Sequence, residues 1–400
     1  MVLWPRHISS SNRYLLLLLP CAAALLTLFY FLHTEPQVRS DFTTQYPPAT
    51  RPATSATSNA NILIVSAFFP FAKSKHSLSD YESWLARFLQ PITTDMYFYT
   101  STEMEPLVRR CRGSLPITID TTYASPFDIP PLSGLRDKYN EMHRLDREQE
   151  RHSPELYAVW NAKPFFLDDA LSKLNNQTYE YAFWNDAGSF RSEHQYKQWP
   201  SPARVEELWK EGAELTKQKP EDLLFFPITG VPHPSLRYWV QDHGPIDNEV
   251  SEGSFFGGSP STVSWWRNTF YAYHDYYMHL GLFVGKDQTL INALFVLFPE
   301  RLISVWLGDP EAPAHAGLVS KVDEGMLGSC GPEWFYYQFW LASPTAQEEM
   351  RDLWERNVRW SWDWWRKREK CRVTRLLTMD HVLRRQFGAD WAPPMHTVDV

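Results

Sequence analysis

Cysteine is scarce in this chain, with four in 400 residues, and none sits in the Cys/His spacing of a zinc site. Cys21 lies inside an apolar run near the N-terminus. Cys111, Cys330 and Cys371 permit one bridge and leave one thiol over, and spacing does not choose the pair. No long basic run occurs in the body of the chain, and the formal net charge is -8. That pattern excludes nucleic acid as a partner. No internal repeat is visible, which excludes a solenoid, and no linker-like stretch follows residue 61, so a single domain is expected there. What is present is ordinary globular composition, 44% hydrophobic and 22% charged. Aromatics are plentiful at 15%, with 18 Trp. Such rings stack on sugars, but core packing accounts for most of them.

One long hydrophobic run exists. Tyr14 to Leu32 carries no charge, and at about 1.5 Å per residue it spans roughly the hydrocarbon core of a bilayer. Arg6 and Arg13 precede it, so residues 1–13 are expected in the cytoplasm and the C-terminal part in the lumen. The rival reading is a cleaved signal peptide with Ala22-Ala23-Ala24 at its cleavage site. The apolar run continues through Leu25, Leu26, Phe29, Phe31 and Leu32, longer than such a peptide needs, which favours an uncleaved anchor. Residues 33–60 are rich in Ser, Thr and Pro and nearly free of apolar residues. They read as a disordered stem. A single N-glycosylation sequon, Asn176-Gln177-Thr178, falls in the folded part.

From residue 61 to 400 short β-type runs alternate with helical patterns. Asn61–Phe69, Met96–Thr100, Ile117–Asp120, Glu180–Trp184, Leu223–Phe226 and Ser254–Phe256 read as strands. Ser79-Asp80-Tyr81-Glu82 reads as a capping box opening a helix that Pro91 stops. Tyr157–Leu174, Ser261–Met278 and Gln288–Phe298 read as further helices. From Glu333 onward a Trp-rich, charged stretch reads as helices wrapping the domain. This alternation predicts an α/β fold with a mostly parallel sheet flanked by helices.

Four segments carry candidate chemistry. In Tyr181–Arg191 (YAFWNDAGSFR) an apolar strand ends at Asn185-Asp186, where α/β sheets bind ligands. Asp186 there either holds a cation on a diphosphate or merely caps a turn, and Arg191 is close enough to meet a phosphate. In Glu252–Pro260 (EGSFFGGSP) the paired Gly257 and Gly258 signal close approach of a ligand or of another chain segment. In Gly285–Gln288 (GKDQ), Asp287 is a helix N-cap or a sugar-facing acid, with Lys286 or Gln288 helping to fix it. In Trp160–Lys163, local pattern makes Lys163 a solvated lysine, and a phosphate contact is the sharper alternative.

Taken together, SAFFP, WNAKPFFL, FWNDAGSFR, GSFFGG and GKDQ, in that order across roughly residues 61–310, resemble the HtrL/YibB-type family. That family is glycosyltransferase-like, with a GT-A type nucleotide-sugar-binding fold. The resemblance implies that Asp186 is the acidic metal position, with Mn²⁺ or Mg²⁺ as an accompanying ion. It also implies that Gly257 and Gly258 present sugar-facing backbone, that Asp287 lies near the reacting carbon and that Lys163 is a nucleotide or phosphate contact. By their positions Gln288 is expected to act with Asp287, and Arg191 and Lys286 to serve the donor phosphates. One departure stands out: the usual Asp-any-Asp is absent, with Asn185 and Ala187 flanking Asp186.

The expected function is transfer of a sugar from a nucleotide-sugar donor to a glycan or glycoprotein acceptor. Anchor, stem and lumenal α/β domain together are the layout of a type II protein of the Golgi (or ER) membrane. The rivals are a glycoside hydrolase using Asp186 and Asp287 as its carboxyl pair, and a non-catalytic lumenal glycan-binding protein.

Overall fold

A computed structural model describes residues 60–70, 76–174, 178–315, 328, 330–359 and 370–400. The expected anchor (14–32), the stem up to residue 59 and Asn176 lie outside the described residues. Among the described residues no helix is long and apolar enough to cross a membrane.

The strands are β1 (Ile62–Phe68), β2 (Asp95–Thr100), β3 (Thr118–Asp120), β4 (Tyr181–Asn185), β5 (Leu224–Pro227), β6 (Phe255–Gly258), β7 (Leu302–Val305) and β8 (Leu376–Thr378). They form one sheet in the order β3-β2-β1-β4-β6-β5-β7-β8. β1 is buried along its whole length, the mark of a strand covered on both faces. Its alternate residues serve two cores. Leu63, Val65 and Ala67 join one apolar cluster, and Ile62, Ile64 and Phe68 join the other.

The expected mostly parallel sheet is present, with two reversals. β6 runs antiparallel to both β4 and β5, and β8 runs antiparallel to β7. Neither reversal was read from the sequence. β8 also corrects the expectation that the segment after Glu333 is helical throughout, since it adds an edge strand. The sheet's C-terminal edge is therefore completed by the last quarter of the chain.

The helices are α1 (Leu78–Leu89), α2 (Glu105–Arg112), α3 (Arg136–Met142), α4 (Pro154–Lys173), α5 (Pro202–Thr216), α6 (Pro260–His279), α7 (Asp287–Leu297), α8 (Tyr336–Trp340), α9 (Pro344–Arg359) and α10 (Met379–Phe387). The α1 capping box lies two residues earlier than expected. Ser77 is the N-cap, and its Oγ accepts from the Asp80 N–H while Asp80 accepts from the Ser77 N–H. Glu82 is instead paired with Arg110 at 3.0 Å. α4 starts three residues before Tyr157 because Ser153 caps it and Pro154 fits the first turn. It continues through Pro164, packed on one face of the sheet with α6 and α7, while α1, α2, α5 and α8 cover the other.

Cys330 and Cys371 form the disulfide, and Cys111 is a buried free thiol. Gly257 and Gly258 sit inside β6, between β4 and β5. A Cβ on Gly257 would lie 2.1 Å from the Ala182 carbonyl oxygen, and one on Gly258 would lie 2.7 Å from the Leu223 carbonyl oxygen. Their close neighbour is therefore the sheet itself, which corrects the sugar-facing reading. Gly257→Ala is expected to lower stability by about 3 kcal/mol or more, as overpacking of a strand–strand seam does. Denaturant unfolding checks this, and a variant of unchanged stability with impaired ligand binding would return Gly257 to the site.

Candidate functional site

β1 and β4 end at the same edge of the sheet. Because β6 is reversed, the residues just before it, Glu252 to Ser254, reach that edge too, and the Asp186 N–H donates to the Ser254 carbonyl at 2.8 Å. α7 begins beside them at Asp287, and α4 passes beneath with Lys163. This is the carboxyl-end position at which open α/β sheets take ligands.

Lys163 is the centre of the cluster. Its Nζ donates to the Gly253 carbonyl at 2.8 Å and lies 3.2 Å from Asp186 Oδ1 and 3.0 Å from Asp287 Oδ2. It is 3% exposed, which corrects the solvated reading. It hydrogen-bonds to Asp186 Oδ2 at 3.3 Å and to the Gly253 carbonyl, and its contact with Asp287 Oδ2 is an ion pair without a hydrogen bond, so it positions two carboxylates. Each carboxylate is held a second time. The Trp184 indole N–H donates to Asp186 Oδ1 at 2.6 Å, and the Gln288 N–H donates to Asp287 Oδ1 at 2.9 Å. Burial works against the Lys163 ammonium, but the charges of Asp186 and Asp287 outweigh it and raise its pKa. At Asp287 burial wins over Lys163, and the carboxyl sits above the usual range. Asp186 is one-third exposed and faces the opening.

Glu252 is a member the sequence did not single out. It is 1% exposed. Its Oε2 accepts from the Ser254 N–H and Oγ, at 3.2 and 2.7 Å, while Oε1 has no partner among the described residues. Burial, with the Asp186 charge adding to it and the Ser254 hydrogen bonds opposing it, pushes its pKa up to about 8. Tyr337 of α8 extends this chain, its hydroxyl 3.0 Å from Ser254 Oγ. Gly253 is the second missed residue. A Cβ there would lie 3.1 Å from Gln288 Cγ and 3.4 Å from Asp287 Oδ2. The signal was present in the EGSFFGG block, but it lay on Glu252 and Gly253 rather than on the paired glycines.

Above the cluster opens a cleft of about 600 Å³, within the range of small-molecule and cofactor sites. Phe68, Trp84, Trp160, Trp184, Trp334 and Phe335 form much of its wall. Arg191 is exposed at the rim. Its guanidinium lies 4.7 Å from the Trp84 ring centre and 5.4 Å from that of Phe335, and its Nε donates to the Gly188 carbonyl. Gln288 lines the cleft while donating to the Ser251 carbonyl at 2.6 Å. Lys286 does not reach the cleft: it pairs with Glu249 at 3.2 Å. The expected residues Lys163, Asp186, Asp287, Gln288 and Arg191 are therefore brought together, and Lys286, Gly257 and Gly258 are not.

The donor set does not fit a resident divalent ion. Among the described residues no group of three or more His, Cys, Asp or Glu could hold a metal. The two carboxylates that converge already share an ammonium, and one oxygen of each has a further N–H donor.

No family model matches the chain, and no curated protein matches it. Solved structures similar to it include two glycosyltransferases. One is core-mannan synthase A from Aspergillus fumigatus in an Mn/GDP form, at 11% identity and a TM-score of 0.36, covering 63% of this chain and 74% of that one. The other is mouse xyloside xylosyltransferase 1 in an apo form, at 10% identity and a TM-score of 0.32, covering 62% of this chain and 86% of that one. Likeness at this level assigns neither a fold family nor an activity.

The Glu252 carboxyl makes stability depend on pH. In the folded protein it keeps its proton up to about pH 8, whereas unfolded it loses it near 4.5. Stability is therefore lost as pH rises across that window and is level above it. Glu252→Gln cannot ionise, so its advantage over the parent is expected to open across the window, reaching the order of a few kcal/mol by pH 9. Melts of both proteins between pH 5 and 9 check this, and parallel curves would contradict it.

Proposed function

We propose that the protein is a glycosyltransferase that moves a sugar from a nucleotide-sugar donor to a glycan or glycoprotein acceptor. The observation that carries this reading is the cluster of Lys163, Asp186 and Asp287 at the floor of an aromatic-walled cleft, on the carboxyl-end edge of the sheet. Aromatic walls offer faces to a nucleobase and to sugar rings. Carboxylates held rigidly from below offer fixed acceptors for sugar hydroxyls.

In such a transfer the bond from the anomeric carbon to the diphosphate oxygen breaks, and a bond to the acceptor hydroxyl oxygen forms. Charge grows on the diphosphate and on the sugar ring. Arg191, exposed at the rim, is placed to meet the phosphates. Asp287, with a pKa lifted by burial, is the carboxylate suited to take the acceptor proton or to face the positive ring. Asp186 and Gln288 orient the sugar, and Lys163 holds both acids in register at no reorganisation cost during reaction. The reading includes a type II arrangement in the Golgi (or ER) membrane, with residues 14–32 in the lipid bilayer and a glycan on Asn176.

One observation favours a second reading, glycoside hydrolysis. Glu252 is a carboxyl kept protonated near neutral pH, close enough to Asp186 to feel its charge, and a protonated and an ionised acid make the usual hydrolase pair.

Incubation of the full chain with a panel of UDP-, GDP- and CMP-sugars separates the two. Release of nucleotide is expected, with a loss of about 100-fold or more in Asp287→Asn and a smaller loss in Asp186→Asn. Release of sugar from an oligosaccharide with no nucleotide present would replace the transferase reading by the hydrolase one. In cells, a mobility shift on glycan removal is expected for the parent and not for Asn176→Gln. A parent without the shift would remove the lumenal placement.

A further inference from the structure

The cluster at the cleft floor has the outline of a cation cage, and its cation is part of the chain. Three oxygens from separate elements converge on one point: Asp186 from the end of β4, Asp287 from the start of α7, and the Gly253 carbonyl from the segment before β6. Lys163 Nζ sits at that point, with distances of 2.8 to 3.3 Å. The oxygens are fixed from behind by the Trp184 indole and the Gln288 N–H. Beside the cage, within reach of the Asp186 and Lys163 charges, Glu252 Oε1 is buried and without a hydrogen-bond partner among the described residues. Gly253 carries no side chain, and a Cβ there would press on Gln288 Cγ at 3.1 Å and lie in contact with Asp287.

We propose that Lys163 is the built-in replacement for a divalent cation at this site, so that the cleft takes a nucleoside diphosphate without added metal and becomes a divalent-metal site when the ammonium is removed. This inference rests on the donor reading of the cleft.

Charge accounting supports it. Without Lys163, Asp186 and Asp287 put two negative charges under the position of an anionic ligand. A transferable sugar with a diphosphate leaving group needs that charge balanced. Lys163 supplies one positive charge from below, and Arg191 supplies another from the rim. A further charged pair at the mouth, Arg151 with Glu148 at 3.5 Å, cancels itself. The floor is then close to neutral with no dication present. The cage is also slightly too wide for a bare ion: Ca²⁺ would need its oxygens drawn inward by up to about 1 Å. With the lysine truncated, two carboxylates and a carbonyl are what a hard dication takes.

The test uses the full chain. UDP and GDP are titrated calorimetrically into the parent protein in EDTA, and again with Mn²⁺. The expected result is the same dissociation constant within about twofold. Binding that appears only with Mn²⁺ overturns the inference and leaves the donor reading standing. Absence of binding under both conditions overturns the donor reading and the inference with it.

A second arm follows Mn²⁺ itself by electron paramagnetic resonance. The parent is expected to leave the free-ion signal unchanged. Lys163→Gln is expected to take up one equivalent, and its melting temperature is expected to rise as Mn²⁺ is added. Uptake by the parent, or a folded Lys163→Gln that ignores Mn²⁺, overturns the proposal. Should Lys163→Gln fail to fold, the EDTA titration of the parent decides alone.

Discussion

One ammonium held between two carboxylates organises this structure. Lys163 binds Asp186, Asp287 and the Gly253 carbonyl at once, and through them it ties α4, β4, α7 and the segment before β6 into one rigid floor. A buried ion pair is weak evidence for stability, because desolvation offsets much of the attraction. Its effect is geometric. Any arrangement that leaves one of the three charges unpaired is costly, on the order of 3–5 kcal/mol, so the four segments are held to one relative placement. The reversed β6 is what makes this possible. A parallel strand there would put Glu252 to Ser254 at the opposite edge, away from Asp186. The lack of side chains on Gly257 and Gly258 lets that reversed strand fit between β4 and β5.

The aromatic residues divide between two tasks. Trp184, Trp199, Trp209, Trp266 and Trp340 are fully buried and fill the two cores. Trp84, Trp160, Trp334 and Phe335 line the cleft instead. Trp184 does both, packing in the core while its indole N–H fixes Asp186. Arg191 depends on this wall as well, since its guanidinium lies against the Trp84 and Phe335 rings and so stays at the rim with little freedom.

Much of the fold was legible. The apolar runs of β1 and β4 and the long helices α4, α6 and α7 were read within a few residues, because burial on both faces leaves an unbroken apolar signature. β8 was not legible: three residues in a charged stretch carry no strand pattern. The site was legible in part. Asp186 and Asp287 stood out as acids at a strand end and a helix start. Lys163 was read locally as solvated and reached the site only through the resemblance, because its partners lie 23 and 90 residues away at Asp186 and Gly253 and nothing local marks a lysine as buried. Gly257 and Gly258 signalled close approach correctly, but sequence alone does not distinguish a ligand from a neighbouring strand. Lys286 stood next to Asp287, yet it pairs with Glu249 instead.

The central claim is that four distant segments form one ligand floor. Hydrogen–deuterium exchange of the full chain, with and without saturating nucleoside diphosphate, tests it most directly. The account predicts simultaneous slowing of exchange at Trp184 to Arg191, at Glu252 to Ser254 and at Asp287 to Gln288, three segments joined through Lys163. Slowing confined to one of them, or found elsewhere in the sheet, would contradict it.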